Sequence, residues 1–273
     1  MGNLNPKEVR ESAERPLRIG VFARNESFFR DLEHFLLPAT LTVDKRRNAA
    51  KNVRRGRQGD PPYEIEIYEL GLDRSEHGVY FDPERPHQMV KDVLARHDEL
   101  GLALARNFPP FREEVCRRAT HSIARENALF SIATAIPNVA PLLGLGWAVG
   151  EFASDTAVLT ANQIRLAFLL AAASDRPVGY GEQKGEVASI IAGAFGWRAI
   201  ARELIGKIPL GGGLIPKAAV AYAGTYVLGQ SLDRLYKMGY AFSRAERKAA
   251  YVDAFDRGKA IVSAVVKRVT NKA

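Results

Sequence analysis

The chain has 273 residues, of which 39 are Lys or Arg and 31 are Asp or Glu, and its formal net charge is +8. A hydrophobic fraction of 47% and a charged fraction of 26% argue against wholesale disorder, collagen and a polytopic transporter. The single cysteine, Cys116, excludes an internal disulfide and a cysteine-based zinc cluster. The five histidines lack metal-ligand spacing, and neither Ser/His/Asp nor Cys/His catalysis has support in the sequence. No metal, cofactor or catalytic residue is therefore expected.

Residues 16–86 predict a small α/β unit. Leu17–Phe22 is a short apolar strand candidate, and Phe28–Leu37 has apolar residues at helical spacing. Tyr63–Leu70 alternates between apolar and polar residues, which is typical of a half-buried strand. Turn-forming residues over 71–86 then predict a loop.

A basic run separates the two predicted strands. Residues 45–57 contain seven cationic residues and no acidic one. Such a run repels itself, and we expect a mobile loop. It is either a solvated loop or a contact for anionic lipid, to which each cation contributes about 1 kcal/mol. Contact with nucleic acid phosphates is the least favoured alternative, because the run has no aromatic residue for base stacking. The candidate contacts are Lys45, Arg46, Arg47, Lys51, Arg54, Arg55 and Arg57.

Residues 87–270 predict a helical module with long apolar segments. Residues 127–150 carry no charge, and 208–232 carry one. Each is as long as the roughly 20 residues that a membrane-spanning helix needs. We therefore expect two membrane-type hairpins, over 127–174 and 187–232. The alternative is a tightly packed core of a soluble helical protein.

Small residues recur at four-residue spacing in the apolar segments, which lets helix backbones approach closely. These candidate packing residues are Gly146, Gly150 and Ser154 in one segment, and Ala221, Thr225 and Gly229 in another.

A stripe of polar residues crosses the second part of the first hairpin. It consists of Glu151, Asp155, Thr160, Asn162 and Gln163. Ionisable groups in an apolar bundle are costly and face an interior, a cavity or water. The stripe is therefore a lined polar path, a lock between helices or the solvated cytosolic end of a hairpin, and we expect the last of these.

Nucleotide binding is not expected from the turn after the first strand. Residues 23–27 read Ala-Arg-Asn-Glu-Ser, without a GxxxxGK[ST] loop, and no Asn-Lys-x-Asp motif occurs. At the other end, Ser243 and Glu246 have the spacing of a capping box, which predicts a final helix reaching about Lys267.

Several spaced motifs resemble a bacterial GTPase-associated helical family of unknown function. They include IARENALFSIATAIPNVAPLLGLGW, DTAVLTANQ, WRAIARE and IPKAAVAYAGTYVLG, within residues 95–240. Members are attached to Era-like GTPases or are separate membrane proteins encoded near them. The resemblance implies a helical, membrane-associating module without catalytic residues. The matching positions are Arg125, Asn127, Pro137, Asp155, Thr160, Asn162, Gln163, Arg198, Glu203, Pro216, Lys217, Tyr222, Gly224, Thr225, Tyr226 and Gly229.

The sequence thus predicts an α+β protein with a mostly helical C-terminal half. Its expected function is that of a non-enzymatic, membrane-associated adaptor or regulator, with a GTPase or a second copy of the chain as protein partners. The alternatives are a soluble helical interaction protein and a degenerate GTPase with regulatory nucleotide contacts. The N-terminus shows no apolar leader segment, and cationic residues occur in the basic run and in the tail, at Arg244, Arg247 and Lys248. These features favour the cytoplasmic membrane with both termini in the cytosol. The alternative location is the cytoplasm.

Overall fold

A computed structural model of the chain describes residues 5–57, 59–135, 155–193 and 213–270. These residues form two compact units. The N-terminal unit comprises Lys7–Cys116 together with Ala171–Pro177, and the helical unit contains the other described residues. The N-terminal unit therefore extends beyond residue 86, because the helices that follow belong to its core.

The N-terminal unit contains a four-stranded parallel sheet with the order β2-β1-β3-β4. The strands are β1 (Ile19–Phe22), β2 (Val53–Arg55), β3 (Ile65–Glu69) and β4 (Val79–Phe81). The helices are α1 (Pro6–Ala13), α2 (Glu26–Leu36), α3 (Val43–Ala50), α4 (Pro86–Arg96), α5 (Gly101–Asn107) and the start of α6 (Arg112–Ala135). Short 3-10 turns occupy Asp98–Leu100 and Pro109–Phe111. The structure confirms the α+β class with a helical C-terminal half.

One face of this sheet carries the apolar side chains that the alternation predicts. Ile19, Val21, Ile65 and Ile67 are buried, and the register pairs Val21 with Ile67. Three apolar residues of α2 are buried, and Phe28 of that helix lies edge-on to a ring of β4, with 5.7 Å between centroids. Burial of these side chains packs α2, which follows β1 in the chain, against this face of the sheet.

The opposite face of the sheet is covered by its own aromatic rings. Phe22 and Tyr68 stack with centroids 4.6 Å apart and planes 8° apart. Gly20 and Gly56 make room for this arrangement: a Cβ atom at Gly20 would lie 2.5 Å from the Tyr63 ring, and one at Gly56 would lie 2.6 Å from Phe22. The rings thus pack directly against the glycine backbone of this face.

The prediction that residues 45–57 form a mobile loop is wrong for most of that run. Helix α3 covers its first residues, and β2 forms an edge of the sheet. Thr42 caps α3 by accepting a hydrogen bond from the Lys45 amide at 3.4 Å. Ala49 and Val53 are buried, and Val53 pairs with Ile19. Two buried apolar side chains and strand pairing therefore outweigh the mutual repulsion of exposed cations.

The predicted loop over residues 71–86 also contains a strand, β4. Val79 and Phe81 point to the apolar face and are 3% and 2% exposed. A three-residue strand is too short to give a clear alternation pattern, which explains why the turn residues around it dominated the prediction.

The helical unit contains the rest of α6 and four further helices among the described residues. These are α7 (Asp155–Ala173), whose last three residues belong to the N-terminal unit, α8 (residues 184–193), α9 (Leu214–Met238) and α10 (Arg244–Thr270). Helix α9 ends at Gly239, whose φ of +84° is the left-handed conformation that glycine adopts readily. The capping box is confirmed: the Ser243 amide donates to Glu246 at 2.8 Å, and the Glu246 amide donates to Ser243 at 3.3 Å.

Within the described residues, one helical segment is long and apolar enough to cross a membrane. It covers Thr156–Ala173 with a mean hydropathy of 1.4, and 61% of it is buried inside the structure. Length and composition alone do not separate a spanning helix from the core helix of a soluble protein. Large parts of both predicted hairpins lie outside the described residues.

Candidate functional site

A buried network of amide and hydroxyl groups joins three helices of the helical unit. Asn127 of α6 donates to the Thr225 hydroxyl of α9 at 2.7 Å and to the Leu159 carbonyl of α7 at 3.4 Å. Asn162 of α7 donates to the Asn127 side-chain oxygen at 2.8 Å, and Gln163 donates to Thr225 at 3.3 Å. Asn127 and Thr225 are fully buried. Since each contact crosses from one helix to another, the network fixes how the helices pack.

The network includes two members of the predicted polar stripe. Asn162 and Gln163 are 7% and 8% exposed, so the expected wet hairpin end does not describe them, and the alternative of a lock between helices does. Thr160 is partly buried, and Asp155 begins α7. Glu151 lies outside the described residues.

An ion pair strengthens the contact between α6 and α7. Arg165 donates to a Glu126 carboxylate oxygen at 2.6 Å, and the side chains are 17% and 25% exposed. A charge-assisted hydrogen bond of this length at a partly dry site contributes more than an exposed pair.

Helix α9 approaches α6 through the predicted small-residue stripe. A Cβ atom at Gly229 would lie 2.5 Å from the Thr120 side chain, so only glycine fits without movement. Thr225 of the same stripe belongs to the network, and Ala221 is partly buried. The other predicted stripe, Gly146, Gly150 and Ser154, lies outside the described residues.

A cavity of about 340 Å³ lies beside the network in the helical unit. Gln163 lines it and thus connects it to the network. Its wall combines apolar and charged side chains from α8, α9 and α10, among them Ile190, Leu228, Leu232, Glu186 and Arg247.

Three of the seven cations in the basic run form ion pairs with acidic residues. Lys45 pairs with Asp175, Arg55 pairs with Glu26 at 2.9 Å, and Arg47 lies 3.9 Å from the carboxylate of the nearby Asp44. These pairs reduce the charge that the run offers to an anionic surface.

Two other cations of the run donate hydrogen bonds to neutral oxygens. Arg46 donates to the Pro38 carbonyl at 3.3 Å, and Lys51 donates to the Asn48 side chain at 3.0 Å. Arg54 and Arg57 are exposed.

The carboxyl end of β1 is occupied by groups of the N-terminal unit itself. In doubly wound sheets, ligands bind beyond the carboxyl ends of the strands, where the strand order reverses. Here the Arg24 amide donates to Glu69 at 2.7 Å, and the Arg24 guanidinium donates to the Gly71 carbonyl. Asn25 caps α2 by accepting from the Phe28 amide at 2.9 Å.

Sequence reasoning missed the role of Asn127. Its partner Thr225 is 98 residues away, so no local spacing could have paired them. The available signal was an amide side chain at the start of an uncharged segment, where a buried polar group needs partners.

Among the described residues, no group of three or more His, Cys, Asp or Glu side chains could hold a metal ion. Cys116 is a buried free thiol. Comparison with protein-family models, curated proteins and solved structures found no match for this chain.

Proposed function

We propose that this protein is a non-enzymatic, membrane-associated adaptor or regulator. The helical unit associates with the cytoplasmic face of a membrane, both termini face the cytosol, and the N-terminal unit contacts a protein partner. The observation that carries the proposal is the way in which α7 is built. Its amides, Asn162 and Gln163, turn into the bundle and bond to other helices. Its central cation, Arg165, is paired with Glu126.

This arrangement is the one that an apolar environment requires. Polar groups in membrane helices face the bundle interior, bond to one another and hold neighbouring helices together. Thr156–Ala173 has the length and hydropathy of a spanning segment. The resemblance to GTPase-associated modules agrees with this reading and suggests a GTPase as the partner of the N-terminal unit.

The experiment is a membrane-association assay on the full chain with a charge placed on α7. Ala161 is only partly buried on that helix. Lysine at the centre of a membrane segment costs about 2.5–3.5 kcal/mol. We expect the unmodified chain to float with neutral phosphatidylcholine vesicles and to resist carbonate extraction, and Ala161→Lys to lose both properties. The matched control is Ala249→Lys on α10, where the alanine is exposed.

The second candidate is a soluble helical interaction protein. It is favoured by the packing of α10 along α9, which places Tyr251, Ala254 and Phe255 against Ala219 and Val227. Helix α10 also carries many charged residues. On this reading the chain stays in the supernatant without detergent, and Ala161→Lys behaves like Ala249→Lys. That result would replace the membrane proposal.

The third candidate, a degenerate GTPase, is favoured by the strand order of the sheet with β1 leading into α2. We expect it to fail, because Arg24, Glu69 and Gly71 fill the region where phosphates would bind. Micromolar affinity needs about −8 kcal/mol. Calorimetric titration with GTP and magnesium is expected to give no saturable heat, whereas a micromolar isotherm lost in Arg24→Ala would establish nucleotide binding.

A further inference from the structure

Basic side chains from α6 and α10 surround a pair of stacked tyrosines on the helical unit. Arg117, His121 and Arg125 follow one another at four-residue spacing on α6 and are exposed. The guanidinium of Arg257, on α10, lies 5.8 Å from the centre of the Tyr226 ring and donates to its hydroxyl at 3.3 Å. We call Arg117, His121, Arg125, Tyr226 and Arg257 the basic collar.

The collar is a convergent group rather than a set of scattered charges. The His121 ring lies edge-on to Tyr226 with centroids 6.5 Å apart, which brings α6, α9 and α10 to one point. Burial lowers the pKa of His121, and repulsion from Arg117, Arg125 and Arg257 lowers it further.

Acidic residues flank part of this charge: Glu113 precedes Arg117 by four residues on α6. On α10, Asp253 precedes Arg257 by one turn, and Asp256 pairs with Lys259 at 2.7 Å. Since the lowered pKa leaves His121 uncharged at neutral pH, the guanidinium groups of Arg117, Arg125 and Arg257 are the charges that an anionic ligand would meet.

An apolar cluster adjoins the collar on all three helices. It contains Ala128 and Ile132 of α6, Ala218 of α9 and Val262 of α10. Partly buried apolar side chains pack against it: Leu129, Leu214, Ile215, Ile261, Val265 and Val266. The cluster itself is buried, and only the side chains packed against it are partly exposed. A basic and aromatic rim beside partly exposed apolar side chains is the pattern of a protein at the headgroup level of a membrane.

We propose that the basic collar binds the phosphate of anionic lipid headgroups and sets the depth at which the helical unit meets the membrane. This rests on the proposed membrane association. Lipid fits better than nucleic acid because the ring faces are taken: Tyr222 is 1% exposed and stacks on Tyr226 with planes 13° apart, and Arg257 lies against the Tyr226 ring. Base stacking needs an open ring face.

The test is partition of the full chain onto two kinds of vesicle. One is phosphatidylcholine alone, and the other is phosphatidylcholine mixed with phosphatidylglycerol. The variant Arg125→Gln/Arg257→Gln removes two collar charges. Its partition onto the mixed vesicles is expected to fall roughly 30-fold, the change for two cations at an anionic surface. Its partition onto neutral vesicles is expected to stay as in the unmodified chain.

The matched control is Arg244→Gln/Lys248→Gln, which removes the same charge from exposed positions in the first turns of α10. It is expected to change partition onto the mixed vesicles less than threefold. A milder variant, Tyr226→Phe, removes the hydroxyl that holds Arg257 and is expected to weaken that partition a few-fold; it serves if the collar double variant does not fold.

Three results would overturn the collar proposal: equal losses in the collar and control variants, unchanged partition in both collar variants, and selective loss of oligonucleotide binding without loss of vesicle binding. Failure of the membrane proposal looks different. In that case the unmodified chain does not partition onto neutral vesicles, while its preference for anionic vesicles still depends on Arg125 and Arg257.

Discussion

Replacing Gly229 with alanine tests whether α6 and α9 are in backbone-level contact. A Cβ atom at Gly229 lies 2.5 Å from Cγ2 and 2.6 Å from Oγ1 of Thr120. Thr120 is 4% exposed and β-branched, so it has few rotamers into which it can retreat. Overpacking of this kind costs about 1–3 kcal/mol, and alanine regains about 1 kcal/mol of helix propensity. The expected net loss of unfolding free energy is therefore between zero and about 2 kcal/mol.

Gly224 offers a matched control on the same helix. A Cβ atom there meets no atom within 4 Å. Gly224→Ala is therefore expected to stabilise the protein by about 1 kcal/mol through helix propensity alone. The difference between the two variants isolates the overpacking cost, because the chemical change and the helix are the same.

The assay is urea denaturation followed by far-UV circular dichroism, with the same detergent or buffer for every variant. A third variant, Thr120→Ala, removes the two nearest atoms and leaves the Cβ atom of residue 120 at 3.0 Å. Gly229→Ala is therefore expected to be less destabilising in its background. Equal stabilisation by Gly224→Ala and Gly229→Ala in the unmodified background would refute the close approach. So would an unchanged effect of Gly229→Ala after Thr120→Ala.

The remaining predictions concern hydrogen bonds and titration. Asn127→Leu is expected to cost about 2–4 kcal/mol because it leaves buried partners unbonded, and Asn162→Leu in addition is expected to cost less than the sum; additive urea results would contradict the network. His121→Gln is expected to lose less stability than the unmodified chain between pH 7 and pH 5, since a lowered folded pKa makes the unfolded chain bind the proton first; parallel midpoint shifts would contradict this. The hydrogen bond from Arg234 lowers the pKa of Glu246 to about 2, so Arg234→Ala is expected to raise that pKa, as measured by an NMR titration of the side-chain carboxyl; an unchanged midpoint would remove Arg234 as the cause.

Local signals in the sequence predicted the parts of the fold that depend on local chemistry. The capping box at Ser243 and Glu246 is a four-residue pattern, and it appears as expected. The strands β1 and β3 follow from short apolar or alternating runs. In each case the residues that give the signal are the ones that make the structure.

The basic run shows where a composition argument fails. The high density of cations predicted a mobile loop. Instead, burial of Ala49 and Val53 stabilises a helix and an edge strand. Asp175 pairs with Lys45 from 130 positions away. A pattern of neighbouring residues cannot predict a partner at that distance in the sequence.

For the same reason, the sequence predicted some residues of the buried network but not their partners. Asn162 and Gln163 were found because they interrupt an apolar segment. Their bonding to Asn127 and Thr225 depends on the packing of three helices, which spacing within one helix does not encode.

The composition of the N-terminal unit has a consequence for how it is made. Ala171–Pro177 belong to this unit, although more than fifty residues of the helical unit separate them from Cys116. Within the unit, Asp175 adopts a φ of +55°, pairs with Lys45 and lies 3.8 Å from Arg106. When only residues 7–116 have been synthesised, the Asp175 carboxylate that lies near both Lys45 and Arg106 is therefore still absent. The unit reaches its full set of contacts only after α7 has been synthesised, so no single cut in the chain separates it intact.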